Sequence, residues 1–296
     1  MNKQIENYLQ QLKTQMADCD KATIQDATAD AYEHLCTALE NMLKEDPSLT
    51  EDQAVATVIA EYGTPEEISA EYKQAENYLK PYLTHAPKQD TRGPLARFFG
   101  IFIDPAAWGS FLYMVIALIT GVLYFTWVST GVALSISLSL FLFGVPLAVL
   151  FILSLQGLGW LEGRLVEGLL GVRMPRRPIF FPTEEKWFDR LKMYLTDKRT
   201  WLTMLYMIVQ LPFGVLYIVI WTVMVAFSLS LIAAPFAQEI FGVSFIHFNT
   251  GYYSIPSSYY PLAVLMGILG LTAFMHVAKW TGRLHGRYAK YMLVRD

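Results

Sequence analysis

Apolar residues recur at helical spacing along the first 80 positions. Ile5, Leu9 and Leu12 share one face, and Ala31, Leu35, Leu39, Met42 and Leu43 share the face of a second, longer helix that Pro47 ends. Thr50 followed by Gln53, and Thr64 followed by Pro65 and Glu67, read as capping boxes. In each, a hydroxyl accepts from the third helical amide while the Gln or Glu side chain reaches back. Pro65 supplies a preset φ at the first helical position, and Gly63 offers the positive φ that closes the preceding helix. Helices are therefore predicted over 51–62 and 65–79, with Val55, Val58, Ile59, Ile68 and Tyr72 facing a small shared core.

Beyond residue 80 the pattern changes. Residues 81–103, with Pro81, Pro87, Gly93 and Pro94, read as a linker. No charged residue then occurs between Asp104 and Glu162, between Arg199 and Glu239, or between Glu239 and Lys279. An uncharged apolar run of about 18 or more residues is long enough to cross a bilayer as a helix. Four spans are expected, at about 108–128, 132–155, 202–229 and 261–278, with a three-residue turn at Ser129–Gly131. Leu and Ile alternate with Ser over 133–140, as in a strand, but an isolated strand leaves its backbone unpaired in lipid, so a helix is expected there. Pro146 and Pro212 fall inside spans two and three, where simple kinks are expected.

The fold class is thus all-α: a soluble helical bundle over 1–80, joined to a four-helix polytopic membrane domain over 104–296. Composition agrees, because the 296 residues are 54% hydrophobic and only 17% charged, with a mean hydropathy of +0.32. A soluble domain carries about 25% charged residues. Charge is also sorted. Residues 1–99 hold 9 Lys/Arg against 17 Asp/Glu, and the remainder holds 14 against 9. The acidic half offers no basic surface for phosphate, so direct nucleic-acid binding is not expected.

All 23 Lys and Arg residues fall before span one, between spans two and three, or after span four. The positive-inside rule then puts both termini in the cytoplasm of a bacterial cell, with the chain multi-pass in the inner membrane. The N-terminus MNKQIENYLQQLK lacks the apolar stretch of a signal peptide.

Compared with itself at an offset of 93, the chain agrees at ten of 21 positions from Asp104: Asp104, Trp108, Leu112, Tyr113, Met114, Leu118, Gly121, Val122, Leu123 and Tyr124. Gly-Arg-Leu follows the second span of each pair, at 163–165 and 282–284. A duplicated transmembrane hairpin is expected, its copies related by an axis along the membrane normal.

Candidate contacts lie at both membrane faces. The outer loop of the second hairpin gathers Phe245, His247, Phe248, Tyr252, Tyr253, Tyr259 and Tyr260. These rings form either an interfacial belt or a lid that meets an external or lipid-like ligand. An amphipathic helix at about 184–196 brings Trp187 together with Lys186, Arg190 and Lys192, and the tail carries Arg283 and Arg287. Both are expected to lie against inner-leaflet anionic lipid. His276 is the one imidazole expected at depth, where it hydrogen-bonds a neighbour. No catalytic set, metal spacing or cofactor motif appears: Cys19 and Cys36 match no ligand pattern and are expected to be reduced thiols. An enzyme is not expected.

The N-terminal segment, with Tyr8-Leu9 and the stretch from Ala54 through Glu61-Tyr62-Gly63-Thr64-Pro65-Glu66-Glu67, resembles the HAAS domain, a small helical signalling-associated domain. That resemblance implies a cytoplasmic regulatory partner, of the PadR-type regulator system. Residues from about 108 to 290 resemble the bacterial putative sensor domain, through Gly121-Val-Leu-Tyr124, Leu158-Gly-Trp-Leu-Glu-Gly-Arg164 read as a turn, Asp197-Lys-Arg-Thr-Trp201 and Gly282-Arg-Leu-His285. Kinase-linked members continue into a catalytic part, whereas this sequence ends at Asp296, so its output is expected to act in trans. The expected function is an inner-membrane sensor that couples membrane or ligand state to a cytoplasmic partner. The alternative is a carrier or channel component for a neutral or lipid solute, assembled as a homo-oligomer through Ala263-x-x-x-Gly267.

Overall fold

The computed structural model describes residues 2–78, 81, 83, 93–138, 144–176, 187–242, 246–248 and 251–294. The fold is all-α. Four helices are long and apolar enough to cross a membrane, and the described residues add one hairpin of two three-residue strands. Contacts divide the chain into two compact units, one formed by 1–84, 131–204 and 288–296 and the other by 85–130 and 205–287.

In the first unit, α1 (Lys3–Gln15), α2 (Lys21–Glu45), α3 (Glu51–Tyr62) and α4 (Pro65–Tyr78) form the N-terminal bundle. Each start is fixed by a side chain. Asn2 and Asp20 accept from the amides of Gln4 (2.9 Å) and Ala22 (2.8 Å). The predicted boxes form: Gln53 accepts from the Thr50 N–H at 3.2 Å, and Glu67 accepts from the Thr64 N–H at 2.9 Å while Thr64 Oγ1 accepts from the Glu67 N–H at 3.3 Å. Gly63, at φ +110°, makes the turn between α3 and α4. Ile5, Tyr8, Leu12, Met16, Ala27, Ala31, Leu35, Val55 and Val58 are the buried core, against which Ile59, Ile68 and Tyr72 pack. The Tyr8 hydroxyl donates to Gly63 O at 3.0 Å, and burial pushes its pKa up to about 12. Cys19 and Cys36 are free thiols.

The same unit holds α7 (Gly144–Leu170), α8 (Trp187–Thr196) and the first turns of α9 (Lys198–Phe241). Tyr194 of α8 packs on Val149 and Ile152 of α7. In the second unit, α5 (Pro94–Phe99) precedes α6 (Pro105–Leu138), and the remainder of α9 packs with α10 (Tyr260–Leu293). Between α9 and α10, β1 (Ile246–Phe248) pairs antiparallel with β2 (Gly251–Tyr253), His247 opposite Tyr252.

The helices depart from the expected limits in four places. The turn expected at Ser129–Gly131 is helical, since α6 runs on to Leu138. Ser, Thr and Gly weaken a helix by less than a turn of apolar residues restores, and no proline interrupts the run. Pro146, expected well inside a span that starts at 132, is the third described residue of α7, the residues just before Gly144 lying outside the described ones. The segment 158–164, expected to turn, belongs to α7. The tail after Ala278 is no separate surface helix, because α10 continues through it to Leu293. Pro212 does lie inside its helix, α9.

Candidate functional site

Three groups of side chains stand out. The first is charged and belongs to the unit that contains the N-terminal bundle. Because α7 stays helical to Leu170, Arg164 and Glu167 share a face, with Nη1 to Oε2 at 2.6 Å. Gly171, at φ +68°, ends the helix, and its N–H donates to Glu167 O at 3.2 Å. A Cβ there would come within 2.9 Å of Leu83, so the turn needs glycine for space as well as for conformation. The turn brings Arg173 back to Glu167, Nη1 to Oε1 at 3.1 Å.

Arg173 Nη2 then reaches Asp26 Oδ2 on α2 at 2.8 Å, and the other Asp26 oxygen accepts from the Arg176 N–H at 2.6 Å. Asp26, Glu167 and Arg173 are 8%, 9% and 8% exposed. Arg164 Nη2 braces the strand-like return by donating to Met174 O (2.9 Å) and Pro175 O (2.8 Å), and Trp160 Nε1 donates to Arg176 O at 2.9 Å. A second ion pair joins Lys290 to Asp20, the residue that caps α2. The N-terminal turns of the long acidic helix are thus tied to 164–176 and to the end of α10.

The second group is neutral and lies in the other unit, where α6 and α9 cross at two glycines. A Cβ on Gly121 would meet Leu211 Cα at 2.8 Å, and one on Gly214 would meet Ala117 O at 2.5 Å. Those glycines are 93 positions apart, and so are their contacts, Leu118 with Leu211 and Ala117 with Gln210. Beside the crossing, the hydroxyls of Tyr113 and Tyr206 lie 3.3 Å apart, again 93 positions apart. His285 of α10 joins them: Nε2 is 2.7 Å from Tyr113 Oη and 3.0 Å from Tyr206 Oη, and Nδ1 is 2.8 Å from Tyr217 Oη. Gln210 Nε2 donates to Tyr113 Oη at 3.1 Å. Phe213 meets the imidazole edge-on, its centroid 5.6 Å away. Every polar partner here is buried, and the hydroxyls, the imidazole and the Gln210 amide nitrogen hydrogen-bond one another without an Asp, Glu, Lys or Arg side chain among them.

Matched contacts also occur at the starts of α6 and α9. Asp104 accepts from the Ala106 N–H at 2.9 Å, and Asp197 accepts from the Arg199 N–H at 3.1 Å. Trp108 and Trp201 each donate Nε1 to the carbonyl six residues earlier, both at 2.8 Å.

The third group is a cleft of about 600 Å³ where α9 ends and α10 begins, lined by Pro235, Phe236, Glu239, Tyr260, Val264 and Ile268 among others. Below it the two helices touch. A Cβ on Gly267 would meet Ser228 O at 2.6 Å, and one on Gly270 would clash with Ser228 Oγ. The small-residue face expected to join copies of the chain is therefore filled at Gly267 by its own α9.

Of the residues expected at the outer loop, Tyr260 lines this cleft and Tyr259 is exposed. His247, Phe248, Tyr252 and Tyr253 fall in the hairpin strands, their side chains outside the described residues, as is Phe245 altogether. At the other face Lys192, Arg283 and Arg287 are exposed, whereas Lys186 and the side chains of Trp187 and Arg190 lie outside the described residues. His276 hydrogen-bonds as expected, Nε2 to Phe98 O at 3.0 Å, and its ring stacks on Phe98. Sequence reasoning met His285 only as the end of Gly282-Arg-Leu-His285 and gave it no site role; the 93-residue matches at Tyr113 and Tyr124 were the signal pointing toward its partners. Among the described residues no group of three or more His, Cys, Asp or Glu is placed to hold a metal ion.

A family model described as "Putative sensor" matches residues 113–293, from the first tyrosine of the neutral cluster to the last residue of α10. No curated protein and no solved structure matches the chain.

Proposed function

Given that the chain belongs to the "Putative sensor" family, we propose that it is an inner-membrane sensor that couples the state of the bilayer, or of a bound ligand, to a cytoplasmic partner in trans. The observation that supports this reading is the buried Asp26–Arg173–Glu167 contact, which links the acidic bundle to the segment following α7. Burying charges is costly, and a buried pair persists only when every member is in place. The arginines here are incompletely matched, since Arg164 Nε and Arg173 Nε are buried without a hydrogen-bond partner among the described residues. Such a contact is poised to be either made or broken, which is what a two-state element needs. A stimulus moves it only by binding the two states with different affinity.

The distribution of Lys and Arg supports a cytoplasmic bundle, with Lys192, Arg283 and Arg287 facing the anionic inner leaflet in this reading. The duplicated hairpin forms the sensing part, and the HAAS-like bundle offers the surface that a regulatory protein reads. No step in this scheme requires catalysis. Cross-linking pull-down with the full chain and with a chain lacking residues 1–80 tests the reading: the truncated chain loses its partner. Equal capture by both chains would sink it.

A further inference from the structure

The cleft between α9 and α10 carries an inference that rests on the sensor reading and names its ligand. Its walls are apolar, formed by Pro235, Phe236, Val264, Leu265 and Ile268, and one carboxylate lines it, that of Glu239. Glu239 is also the only Asp, Glu, Lys or Arg between Arg199 and Lys279, so no cation of the chain in that stretch is available to neutralise it. The Tyr260 hydroxyl hydrogen-bonds the Glu239 side chain and also accepts from Gln238 Nε2 at 3.3 Å. Gln238 in turn fixes the loop: its Oε1 accepts from the Ile255 N–H at 2.9 Å and its Nε2 donates to Ile255 O at 3.2 Å.

The carboxylate is therefore held at a tethered rim rather than on a free arm. The helices pack closely below the cleft, where Ser228 meets Gly267 and Gly270, and Pro235 above has no N–H to bond Leu231 O.

We propose that this cleft binds an amphiphilic organic monocation: one positive charge on an apolar or aromatic body, taken up from the membrane or the aqueous phase. The charge pairs with Glu239, Phe236 and Tyr260 offer ring faces to it, and the body fills the apolar walls. A cleft of about 600 Å³ has room for the body of a small ligand. Glu239 is exposed at the rim, so a neutral ligand gains nothing from its charge, a cation is attracted by it and an anion is repelled.

Tetraphenylphosphonium and tetraphenylborate share a shape and differ in sign, so they serve as probes. Equilibrium binding is measured on the full chain in phosphatidylcholine nanodiscs, with empty discs subtracted. Saturable binding of one phosphonium per chain is expected, weakened tenfold or more by Glu239→Gln, with no saturable binding of the borate. Val264→Phe, which fills the cleft and keeps the charge, should weaken it similarly. Equal phosphonium affinity for Glu239→Gln and the native chain overturns the proposal. So does saturable binding of the borate, or phosphatidylethanolamine retained by the native chain and lost from Glu239→Gln, which would make the occupant a lipid. Partner capture by the bundle is read separately, so a failure here leaves the sensor reading standing, and loss of capture on truncation is independent of phosphonium binding.

Discussion

The charged group around Arg173 and the neutral group around His285 both bury polar side chains, and they differ in what happens when one member is lost. Arg173 pairs with both Asp26 and Glu167, so deleting it takes an ion-pair partner from two buried carboxylates at once, Glu167 keeping Arg164. Tyr113, Tyr206, Tyr217, Gln210 and His285 are uncharged, and losing one hydroxyl costs a hydrogen bond in a network that keeps its others. The comparison separates a contact suited to switching from one suited to holding a helix crossing. The first joins residues 147 positions apart across two kinds of structure. The second sits where Gly121 and Gly214 bring two long helices into backbone contact.

If that difference is real, the largest effect belongs to Arg173→Ala, which should weaken the attachment of the bundle by about 3–5 kcal/mol. Proteolysis of the linker and bundle in nanodiscs would show it as faster cleavage of 1–80. Next is Gly214→Ala. Its new methyl would meet backbone atoms at 2.5–2.8 Å, which no rotamer relieves, and a loss of about 1–3 kcal/mol is expected in the thermal unfolding of the full chain. His285→Leu, which removes the imidazole that three tyrosines share, should cost about 1–3 kcal/mol, and Tyr217→Phe about 1 kcal/mol, since only one bond goes. A Tyr217→Phe cost equal to that of Arg173→Ala would erase the distinction between the two groups.

Smaller effects sharpen the picture of the bundle. Burial together with the nearby Glu76 and Asp18 carboxylates pushes the Cys19 thiol up to about 11, so its thiolate at neutral pH is about a hundredfold scarcer than that of an ordinary cysteine. Alkylation by iodoacetamide should slow to match. The backbone and side-chain hydrogen bonds from Thr64 hold the Glu67 carboxyl below its ordinary 4.5. A depressed carboxylate contributes stability above its unfolded value and loses it as pH falls through the folded one. Amide exchange at the start of α4 should therefore rise, slightly, only in acid.

Much of this architecture was legible in the sequence. The bundle's caps were readable because a capping box is a local pattern, and the spans because an uncharged run of that length has few other uses. The limits of the first hairpin were not, since Ser129–Gly131 looks like a turn and only the continuous helix shows that it is none. The candidate sites divide the same way. Self-comparison flagged Tyr113, Gly121 and Tyr124 by their matches at Tyr206, Gly214 and Tyr217, yet nothing in the order of residues ties His285 to a tyrosine 172 positions earlier. The charge counts show an acidic N-terminal part and a basic remainder. Which acid meets which base depends on the turn at Gly171, and no periodicity encodes that.

The central claim is that the bundle is tied through Asp26 and Arg173. Hydrogen–deuterium exchange of the α2 amides in the full chain, in nanodiscs, compares the native protein with Arg173→Gln. The account predicts that amides from about residue 24 to 30 lose protection in the variant while those near Leu35, in the bundle core, keep it. Equal protection of both segments in the two proteins would show that Arg173 does not hold the bundle and would contradict the account.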